Sequence, residues 1–543
     1  MVAEAWEYDE QRKIWWGPPR VDNSNEVDYQ KSFGEQLLSK MQINAERICQ
    51  ISDTENISLT HGEVLQYGIS IANFIRSHNF THNDVVGLIA KNSAFVLPIA
   101  IGCWLNCTPL HPIYNQSDKS VISHLFGMTR PKIIFCDAAD YEQLSLALED
   151  LKLKSLVLII DDEIAEVQRL HEIFKNHTEI NNFVPSKLVL GPAQTMLYMC
   201  SSGTTGFPKT MHFSNQQILR LYNIGDQKEV LFSFSNLNWI TGLIIVVNTL
   251  LSGSTRIITS TGTNAEVAYN LIEKYKISMM VTTPSQLAQI VKSYSDGDRN
   301  IKSLKLLMCG GGIVPVPIIE QTLKILNKQQ ILTILYGASE WGITSTNKNF
   351  NKPKSAGKLL PGYSVKVVNE DGKELGIGEV GEFLIQNSTD WHGYLHNEAE
   401  TAGMLDKQGW FHTGDLGYFD EDAYLYIVDR KKDVMKYRGV DYRPSEIEGC
   451  IAELSDVVES CVFSSYDAVD MDRATAAVIV KNGSQLSELD IREHVAKRLQ
   501  ERMHLHGGVY IVDSLPKTTT GKNVRRKAKE MIKALRTHKN SDV

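Results

Sequence analysis

Short apolar runs alternate with amphipathic helical stretches over most of the chain, and this pattern constrains the fold more than any other feature. Apolar runs such as Leu304–Met308 and Ile331–Leu335 are separated by helix-like segments such as Val316–Leu326. Strands that alternate with helices of about 10–15 residues indicate βαβ units, and therefore parallel sheets. The sequence predicts an α/β fold whose N-terminal part consists of stacked αβ subdomains.

The pattern changes after residue 360. Short alternating segments, Tyr363–Val368 and Gly381–Ile385, are separated by glycine-containing turns, which is typical of a smaller antiparallel region. A charged cluster, Asp429–Asp433, follows, and beyond it lies a compact mixture of helical and strand patterns. The cluster fits two interpretations, an interdomain hinge and an ordinary surface loop. We predict a large domain, residues 1–430, that includes a β-rich subdomain, and a small mobile α+β domain, residues 431–543.

The charge balance and the cysteines exclude several classes of protein. Lys and Arg number 56 and Asp and Glu number 64, which gives a net charge of −8. Non-specific binding to nucleic acid needs clustered positive charge, so we expect no nucleic-acid partner. The eight cysteines are scattered and include no CxxC pair. Neither a zinc ribbon nor a disulfide scaffold is therefore indicated.

No segment has the pattern of a signal peptide or a membrane span. The N-terminal segment carries Glu4, Glu7 and Asp9, whereas a signal peptide begins with basic residues and continues with apolar ones. The most apolar stretch, Ala94–Leu105, is shorter than the ~20 residues that a membrane helix needs. The chain ends at Val543 without a Ser-Lys-Leu signal. These features predict a cytoplasmic protein without a transmembrane segment, with the peroxisome as the alternative compartment.

A strand-like run, Tyr198–Cys200, leads directly into a loop rich in hydroxyl groups and glycine. Glycines let backbone N–H groups turn toward an anion, hydroxyls add donors, and a lysine adds a positive charge, so the loop suits phosphate oxygens. It is not a Walker A loop, because Phe207 and Pro208 separate its second glycine from its lysine. Taken alone, such a loop also fits an ordinary turn. Its residues are Ser201, Ser202, Gly203, Thr204, Thr205, Gly206, Phe207, Pro208 and Lys209.

Further motifs follow this loop in order. Two of them come directly after strand-like runs, and the last lies near the C-terminus. They are Cys309–Gly312, Tyr336–Glu340, Gly409–Asp415, Asp429–Arg430 and Pro516–Lys522.

Together these motifs resemble, in order and spacing, the adenylate-forming superfamily of acyl-CoA synthetases, 4-coumarate–CoA ligases, beetle luciferases and peptide-synthetase adenylation domains. The resemblance extends from Leu88 to Lys527 and is greatest to the insect luciferase-like acyl-CoA synthetases. It implies a two-step reaction in which a carboxylic acid is converted to an acyl-adenylate and then to a thioester. ATP, Mg²⁺ and coenzyme A are the implied cofactors.

The resemblance implies a nucleotide site built from several of these motifs. The loop Ser201–Lys209 would hold the β- and γ-phosphates. Gly311 and Gly312 would let the backbone approach the adenine closely, and Tyr336, with Gly337 beside it, would stack on the ring.

The same resemblance implies contacts to the ribose. Asp415 would accept hydrogen bonds from the two ribose hydroxyls. Arg430 would reinforce the contacts to the ribose and the phosphates.

Five residues are implied in the chemistry. Ser339 would bind the α-phosphate, and Glu340 would supply the carboxylate oxygen that Mg²⁺ prefers. Lys522 would neutralise the charge that develops on the α-phosphate. Lys436 would enter the same site after rotation of the C-terminal domain, with Lys432 at the hinge.

Each of these residues also has an ordinary structural interpretation when it is taken alone. Glu340 and Asp415 could be solvated or capping carboxylates, and Lys522 could begin a basic surface helix. The occurrence of the whole set in family order favours the functional interpretation.

Four residues are expected in the acyl pocket by the same resemblance. Relatives commonly carry histidine at the position of Asn238, and beetle luciferases carry a second at Trp239, so the beetle type of light-emitting oxidation is not favoured. Gly337 stands where acetyl-specific synthetases have a tryptophan, so we expect a medium-chain, long-chain or aromatic acyl group. Trp239 and Trp341 would shorten the tunnel.

The leading prediction is an AMP-forming acid–thiol ligase that acts on a medium- or long-chain fatty acid or an aryl acid. The partners would be this small-molecule carboxylic acid and coenzyme A. One alternative is a luciferase-type monooxygenase that adenylates and oxidises a luciferin. The other is a non-catalytic homologue that binds acyl ligands. The sequence leaves the acyl chain length and the oligomeric state open.

Overall fold

The computed structural model describes residues 6–20, 27–175, 180–201, 208–222, 226–294, 299–389, 391–517 and 523–541. The strands, numbered in chain order, are β1 (Glu7–Asp9), β2 (Ile14–Trp16), β3 (Ile48–Ser52), β4 (Ile57–Thr60), β5 (Val86–Ile89), β6 (Leu110–Ile113), β7 (Ile133–Cys136), β8 (Leu156–Ile159), β9 (Gln168–Arg169), β10 (Thr195–Ser201), β11 (Lys209–Ser214), β12 (Val230–Ser233), β13 (Thr255–Ile258), β14 (Met279–Thr282), β15 (Leu306–Gly310), β16 (Ile331–Ala338), β17 (Gly342–Asn347), β18 (Lys358–Leu359), β19 (Tyr363–Val368), β20 (Gly381–Asn387), β21 (Phe411–Phe419), β22 (Leu425–Arg430), β23 (Met435–Tyr437), β24 (Val440–Tyr442), β25 (Val457–Asp467), β26 (Met471–Val480) and β27 (Gly508–Ile511).

The helices are likewise numbered in chain order. They are α1 (Phe33–Ile43), α2 (His61–Ser77), α3 (Val96–Leu105), α4 (Lys119–Thr129), α5 (Tyr141–Leu151), α6 (Leu170–Ile173), α7 (Asn215–Leu219), α8 (Ile240–Ser252), α9 (Ala265–Tyr275), α10 (Pro284–Ser293), α11 (Val316–Ile325), α12 (Glu398–Met404), α13 (Pro444–Ile451), α14 (Glu488–Arg498) and α15 (Arg525–Ser541).

Two mostly parallel sheets form the αβ part of the large domain. The first has seven strands in the order β11-β10-β6-β5-β7-β8-β9, and the second has nine in the order β18-β17-β16-β15-β14-β12-β13-β3-β4. All four residues are buried in each of β5, β6, β7 and β14. Strands of parallel sheets are covered on both faces, which is why these strands are near-continuous apolar runs.

The third sheet is antiparallel and has six strands in the order β1-β2-β19-β20-β21-β22. Its two N-terminal strands come from the beginning of the chain, and Trp16 pairs with Ser364 across β2 and β19. The β-rich region predicted after residue 360 is confirmed. Its pairing with residues 7–16 was not part of the prediction, because no local pattern links segments so far apart.

The C-terminal domain has its own sheet, β24-β23-β26-β25, with β27 parallel to β26. Its core is separate from the cores of the large domain and includes Ile447, Val462 and Val509. The predicted fold class, a large N-terminal α/β domain with a separate α+β domain, is confirmed. The predicted boundary between residues 430 and 431 stays a prediction, although β22 ends at Arg430 and β23 already belongs to the C-terminal sheet.

The most apolar stretch of the sequence forms α3, a buried helix. All ten of its residues are buried, and a helix that is apolar on every side is typical of a protein core. Gly68 of α2 lies against Ile101, and Gly102 lies against Ile71, so the two helices approach closely. Among the helices that the structure describes, none has the length and the apolarity needed to cross a bilayer.

Candidate active site

The carboxyl ends of β15 and β16 carry two of the predicted motifs side by side. The two strands are parallel neighbours, and Gly310 pairs with Leu335 at their ends. Gly311 follows β15 with φ +92°, a conformation that glycine adopts without strain. A Cβ atom on Gly312 would lie 3.5 Å from Cγ of Pro284, at the start of α10. The Gly311–Gly312 turn therefore lies between the end of β15 and the N-terminus of α10.

Asp415, Tyr336 and Arg430 form a connected cluster. Asp415 pairs with Arg430 across β21 and β22, and the Arg430 Nε lies 2.7 Å from Asp415 Oδ1. The Tyr336 hydroxyl donates to Asp415 Oδ2 at 2.9 Å. Burial and the Asp415 carboxylate raise the pKa of Tyr336 well above its usual value. The structure thus brings together three residues that the sequence predicts to bind the nucleoside.

Glu340 lies in the turn between β16 and β17 and is buried. The Tyr394 hydroxyl donates to Glu340 Oε1 at 2.7 Å. Burial and the Glu340 carboxylate raise the pKa of Tyr394. One carboxylate oxygen is therefore held in place by a neutral donor. A buried hard carboxylate is the kind of ligand that Mg²⁺ takes together with phosphate oxygens.

Lys209 connects this carboxylate to the phosphate loop. Its ammonium lies 4.8 Å from the centre of the Tyr394 ring and contacts the carboxylate of Glu400. Burial lowers the pKa of Lys209, and the charge of Glu340 opposes that effect. Lys209 pairs with Ser201 across β10 and β11, so both ends of the loop are fixed by strands. The predicted residues Ser202, Gly203, Thr204, Thr205 and Gly206 lie outside the described part of the chain.

Lys432 follows Arg430, the last residue of β22, by two positions. Burial lowers the pKa of its ammonium, Asp433 opposes this effect, and the positive charges of Arg430 and Lys209 lower the pKa further. The predicted hinge residue is thus close enough to Arg430 and Lys209 for their charges to act on it.

Ser339 and Gly337 lie on the same segment. Ser339 is half-buried, one position before Glu340. A Cβ atom on Gly337 would lie 2.2 Å from the carbonyl oxygen of Gly342 and 2.7 Å from Cα of Ile343. Glycine is therefore required at 337 by the close approach of β17. A role for Gly337 in acyl chain length stays a prediction.

The predicted pocket residues lie in two environments. Asn238 is buried beside the ends of β5 and β6, at a cavity of about 10 Å³ that Lys91 and Asn92 also line; this is room for about one water molecule. Within the described residues, its Oδ1 has no hydrogen-bond partner. Trp239 is half-buried and caps α8, whereas the buried Trp341 packs on Phe411 with 5.9 Å between ring centroids. That these side chains line one acyl pocket stays a prediction.

The two predicted catalytic lysines belong to the C-terminal domain. Lys436 is exposed on β23, and its Nζ lies 3.6 Å from Asp441 Oδ1 of the neighbouring strand. Lys522 lies outside the described residues. The residues that flank its segment are described: Lys517 pairs with Asn523, and α15 begins at Arg525 instead of at Lys522 as the sequence suggested.

Sequence reasoning missed Tyr394 and Glu400. Tyr394 is separated from Glu340 by 54 positions and stands in a segment without a strand or helix pattern. The sequence feature that marks its position is the preceding glycine. Gly393 has φ +85°, and a Cβ atom added there would contact Thr401. Such a signal marks a tight turn but does not reveal the partner.

Comparisons with known proteins identify the family of the chain. The sequence model of the AMP-binding enzyme family matches residues 39–395, and that of the AMP-binding enzyme C-terminal domain matches residues 446–522. A luciferin 4-monooxygenase of Photuris pensylvanica is 26% identical over 499 residues, which cover 88% of this chain and 90% of the relative. A probable 4-coumarate–CoA ligase 3 of Dictyostelium discoideum is 26% identical over 483 residues, 83% of this chain and 86% of the relative.

A solved structure extends the likeness to the fold. The anthranilate CoA ligase AuaEII in complex with anthranoyl-AMP superposes with a TM-score of 0.84 at 18% identity, over 94% of this chain and 99% of that one. The family match covers more than half of the chain and includes Tyr336, Glu340 and Tyr394. The chain belongs to the AMP-binding enzyme family and has the fold of the adenylate-forming enzymes.

Proposed function

We propose that this protein is an ATP-dependent acyl-CoA synthetase that activates a medium- or long-chain fatty acid or an aryl acid. Two observations carry the proposal. Tyr336 and Arg430 hold Asp415, and Lys209 lies close enough to Glu340 for the carboxylate charge to act on its ammonium. These groups are the donors and acceptors that a ribose, a triphosphate and a metal ion need. The carboxylate-ligase relatives support the choice of reaction.

In the first step, an oxygen of the substrate carboxylate attacks the α-phosphorus of ATP. The bond from the α-phosphorus to the bridging oxygen breaks, and pyrophosphate leaves with the electron pair. Lys209 neutralises charge on the β- and γ-phosphates, and Asp415 holds the ribose so that the α-phosphorus is presented in line. Lys522 is proposed to stabilise the charge on the α-phosphate oxygens.

Glu340 would hold Mg²⁺, and its orientation is maintained by the Tyr394 hydroxyl. When bound, the metal supplies positive charge for the phosphate oxygens.

In the second step, the thiol of coenzyme A attacks the acyl carbon. The carbon–sulfur bond forms, AMP leaves with the electron pair of the broken carbon–oxygen bond, and the thiol proton passes to solvent. Lys436 is proposed to act in this step after rotation of the C-terminal domain about Lys432, because its ammonium lies on the exposed side of β23 beside Asp441.

ATP–pyrophosphate exchange across a panel of acids tests the proposal. The panel runs from acetate through fatty acids of increasing length to an aryl acid, with coenzyme A added afterwards to detect the thioester. Exchange with at least one acid, followed by AMP release with coenzyme A, is the expected result. A protein that supports no exchange with any acid is not an acyl-CoA synthetase.

The half-reactions separate the two lysines. We expect Lys522→Ala to lower exchange by about 10²–10³-fold and to leave the reaction of prepared acyl-adenylate with coenzyme A unchanged. Lys436→Ala should have the opposite effect. Equal loss of both half-reactions in both variants would disprove this assignment.

A luciferase-type activity is the second candidate, favoured by the similarity to a luciferin 4-monooxygenase. Asn238 and Trp239 provide no imidazole where beetle luciferases carry them, which argues against it. Photon counting after addition of luciferin, ATP and O₂ decides between the candidates, and we expect no light above the buffer level.

A further inference from the structure

Besides the hydrogen bond from Ser445 of α13 to Asp429 of β22, the C-terminal domain contacts the large domain at helix α10. Two lysines cross this contact in opposite directions. Lys517 of the C-terminal domain donates to Ser285 Oγ at 2.7 Å, and Lys292 of α10 donates to the carbonyl oxygen of Val457. Ser285 and Lys292 are seven residues apart, which places them on one face of the helix, about 10 Å apart along its axis.

The two lysines differ in what compensates their charge. Lys517 also lies 2.7 Å from Glu459 Oε2, and the side chains of Lys517 and Glu459 are only 26% and 11% exposed. Its ammonium therefore joins a carboxylate of one domain to a hydroxyl of the other. The pKa of Lys292 is lowered to about 8 by burial, and the charge of Lys481 adds to this effect. The positive charge of Lys517 is therefore better neutralised by its surroundings than that of Lys292.

Ser285 is also close to the nucleotide site. It follows Pro284, whose ring contacts the position of Gly312. On the other side, Lys517 pairs with Asn523 across the segment that contains Lys522. The Lys517–Ser285 hydrogen bond therefore lies one residue after the neighbour of Gly312 on one side and five positions before Lys522 on the other.

We propose that Lys517 is a positioning residue that holds the C-terminal domain in the orientation used for adenylation, by linking Glu459 to Ser285. The role of this orientation rests on the proposed function. The link is made only while β25 lies on α10, so it stabilises this orientation over any other. Loss of the link shifts the domain equilibrium away from the state that forms the acyl-adenylate.

Ser285→Ala is the most informative substitution. It removes the interdomain hydrogen bond and leaves the Lys517–Glu459 pair intact inside the C-terminal domain. A hydrogen bond to a charged group is strong enough for its loss to lower the kcat of ATP–pyrophosphate exchange by about 10-fold. The KM for ATP and the reaction of prepared acyl-adenylate with coenzyme A should stay unchanged.

Two further variants separate positioning from stability. Lys517→Met should lower exchange at least as much, and Lys517→Arg should restore most of it, because its guanidinium can bind both oxygens. The double variant Ser285→Ala/Lys517→Met should be no slower than Lys517→Met alone, since both changes break one link. Ser293→Ala on the same helix is the control, because the Ser293 hydroxyl binds Gln289 within α10. Independent, additive effects would overturn the proposal.

A distance measurement tests the link without any enzymatic activity. Spin labels on Leu323→Cys of α11 and Leu489→Cys of α14 occupy exposed positions, whereas all eight natural cysteines are buried. In the full chain, some molecules have the docked interdomain distance and others have different distances. The ratio of the second population to the first should rise about 10-fold in Ser285→Ala and should stay unchanged in Ser293→Ala. Identical distance distributions in all three proteins would refute the link. A protein without pyrophosphate exchange but with the shifted distances would refute the proposed function alone.

Discussion

Asp415 and Arg430 face each other across the antiparallel strands β21 and β22, and the guanidinium Nε lies 2.7 Å from the carboxylate. The carboxylate is buried and also accepts the hydroxyl of Tyr336. The Asp415 carboxylate therefore connects β21 of the antiparallel sheet to β16 of the nine-stranded sheet. This arrangement presents a fixed acceptor at the position that the proposed function assigns to the ribose.

The first expectation concerns the charge of Asp415. Asp415→Asn keeps the size of the side chain but removes the charge that Arg430 and the ribose hydroxyls need. Because hydrogen bonds to charged groups contribute about 1.5–3 kcal/mol each, the KM for ATP in pyrophosphate exchange should rise about 10- to 100-fold.

Asp420→Asn is the matched control on the same hairpin. The Asp420 carboxylate binds Lys352 and Tyr426, at the end of the hairpin away from Arg430. This variant should lose some thermal stability and keep its KM for ATP. An unchanged KM in Asp415→Asn would contradict the ribose assignment.

The second expectation concerns Tyr394. Tyr394→Phe removes the hydroxyl that holds Glu340 and retains the ring beneath the Lys209 ammonium. Loss of a group that orients a metal ligand typically costs 10- to 100-fold in metal affinity or activity. The Mg²⁺ concentration that gives half-maximal pyrophosphate exchange should therefore rise by at least about 10-fold. In the control Tyr363→Phe, the lost hydroxyl binds the carbonyl of Trp341, and the Mg²⁺ dependence should not change. Equal Mg²⁺ midpoints in both variants would argue against Glu340 as the metal ligand.

The third expectation concerns Gly337. A methyl group there would lie 2.2 Å from the Gly342 carbonyl oxygen. Gly337→Ala should therefore push β16 and β17 apart and lower the free energy of unfolding by about 1–3 kcal/mol. A urea titration measures this change. Gly449→Ala in α13, where no atom lies within 4 Å of the new methyl, should stabilise the helix by about 0.5–1 kcal/mol. A Gly337→Ala protein of unchanged stability that only prefers shorter acids would instead support a pocket role.

The fourth expectation concerns acid stability. Burial lowers the pKa of His61 to about 4, and its Nε2 lies 3.1 Å from the carbonyl of Ser254. The His61 imidazole binds a proton near pH 6.5 in the unfolded chain, but only near pH 4 in the folded chain. This contribution to stability is therefore fully present above pH 6.5, decreases as the pH falls from 6.5 toward 4, and is lost below about pH 4.

Urea titrations at pH 7 and pH 4.5 measure this loss. His61 should account for up to about 3 kcal/mol of it, so His61→Gln should show a smaller decrease than the natural protein. His171→Gln, at an exposed position of α6, should show the full decrease. If His61→Gln and the natural protein lost the same stability, burial of this imidazole would not be the cause.

Much of the fold followed from local pattern. The apolar runs Leu304–Met308 and Ile331–Leu335 predicted strands that begin within two residues of the starts of β15 and β16, because strands of a parallel sheet are mostly apolar runs. The pairing of β2 with β19 was not predictable, because it joins Trp16 to Ser364 and depends on which edges remain free once the other strands have paired. The site followed the same rule. The ordered family motifs indicated Tyr336, Glu340 and Asp415, whereas the partner Tyr394 belongs to none of these motifs.

The sequence alone determined the fold class and the family, and it predicted which groups bind a nucleotide, since these depend on residue type and on order along the chain. Only the tertiary structure decided that Tyr394 orients Glu340, that Gly337 is required by the neighbouring strand and that Lys517 reaches Ser285. Contacts of this kind form between residues tens to hundreds of positions apart. They depend on how sheets and domains pack, and they leave no periodic pattern in the amino-acid sequence.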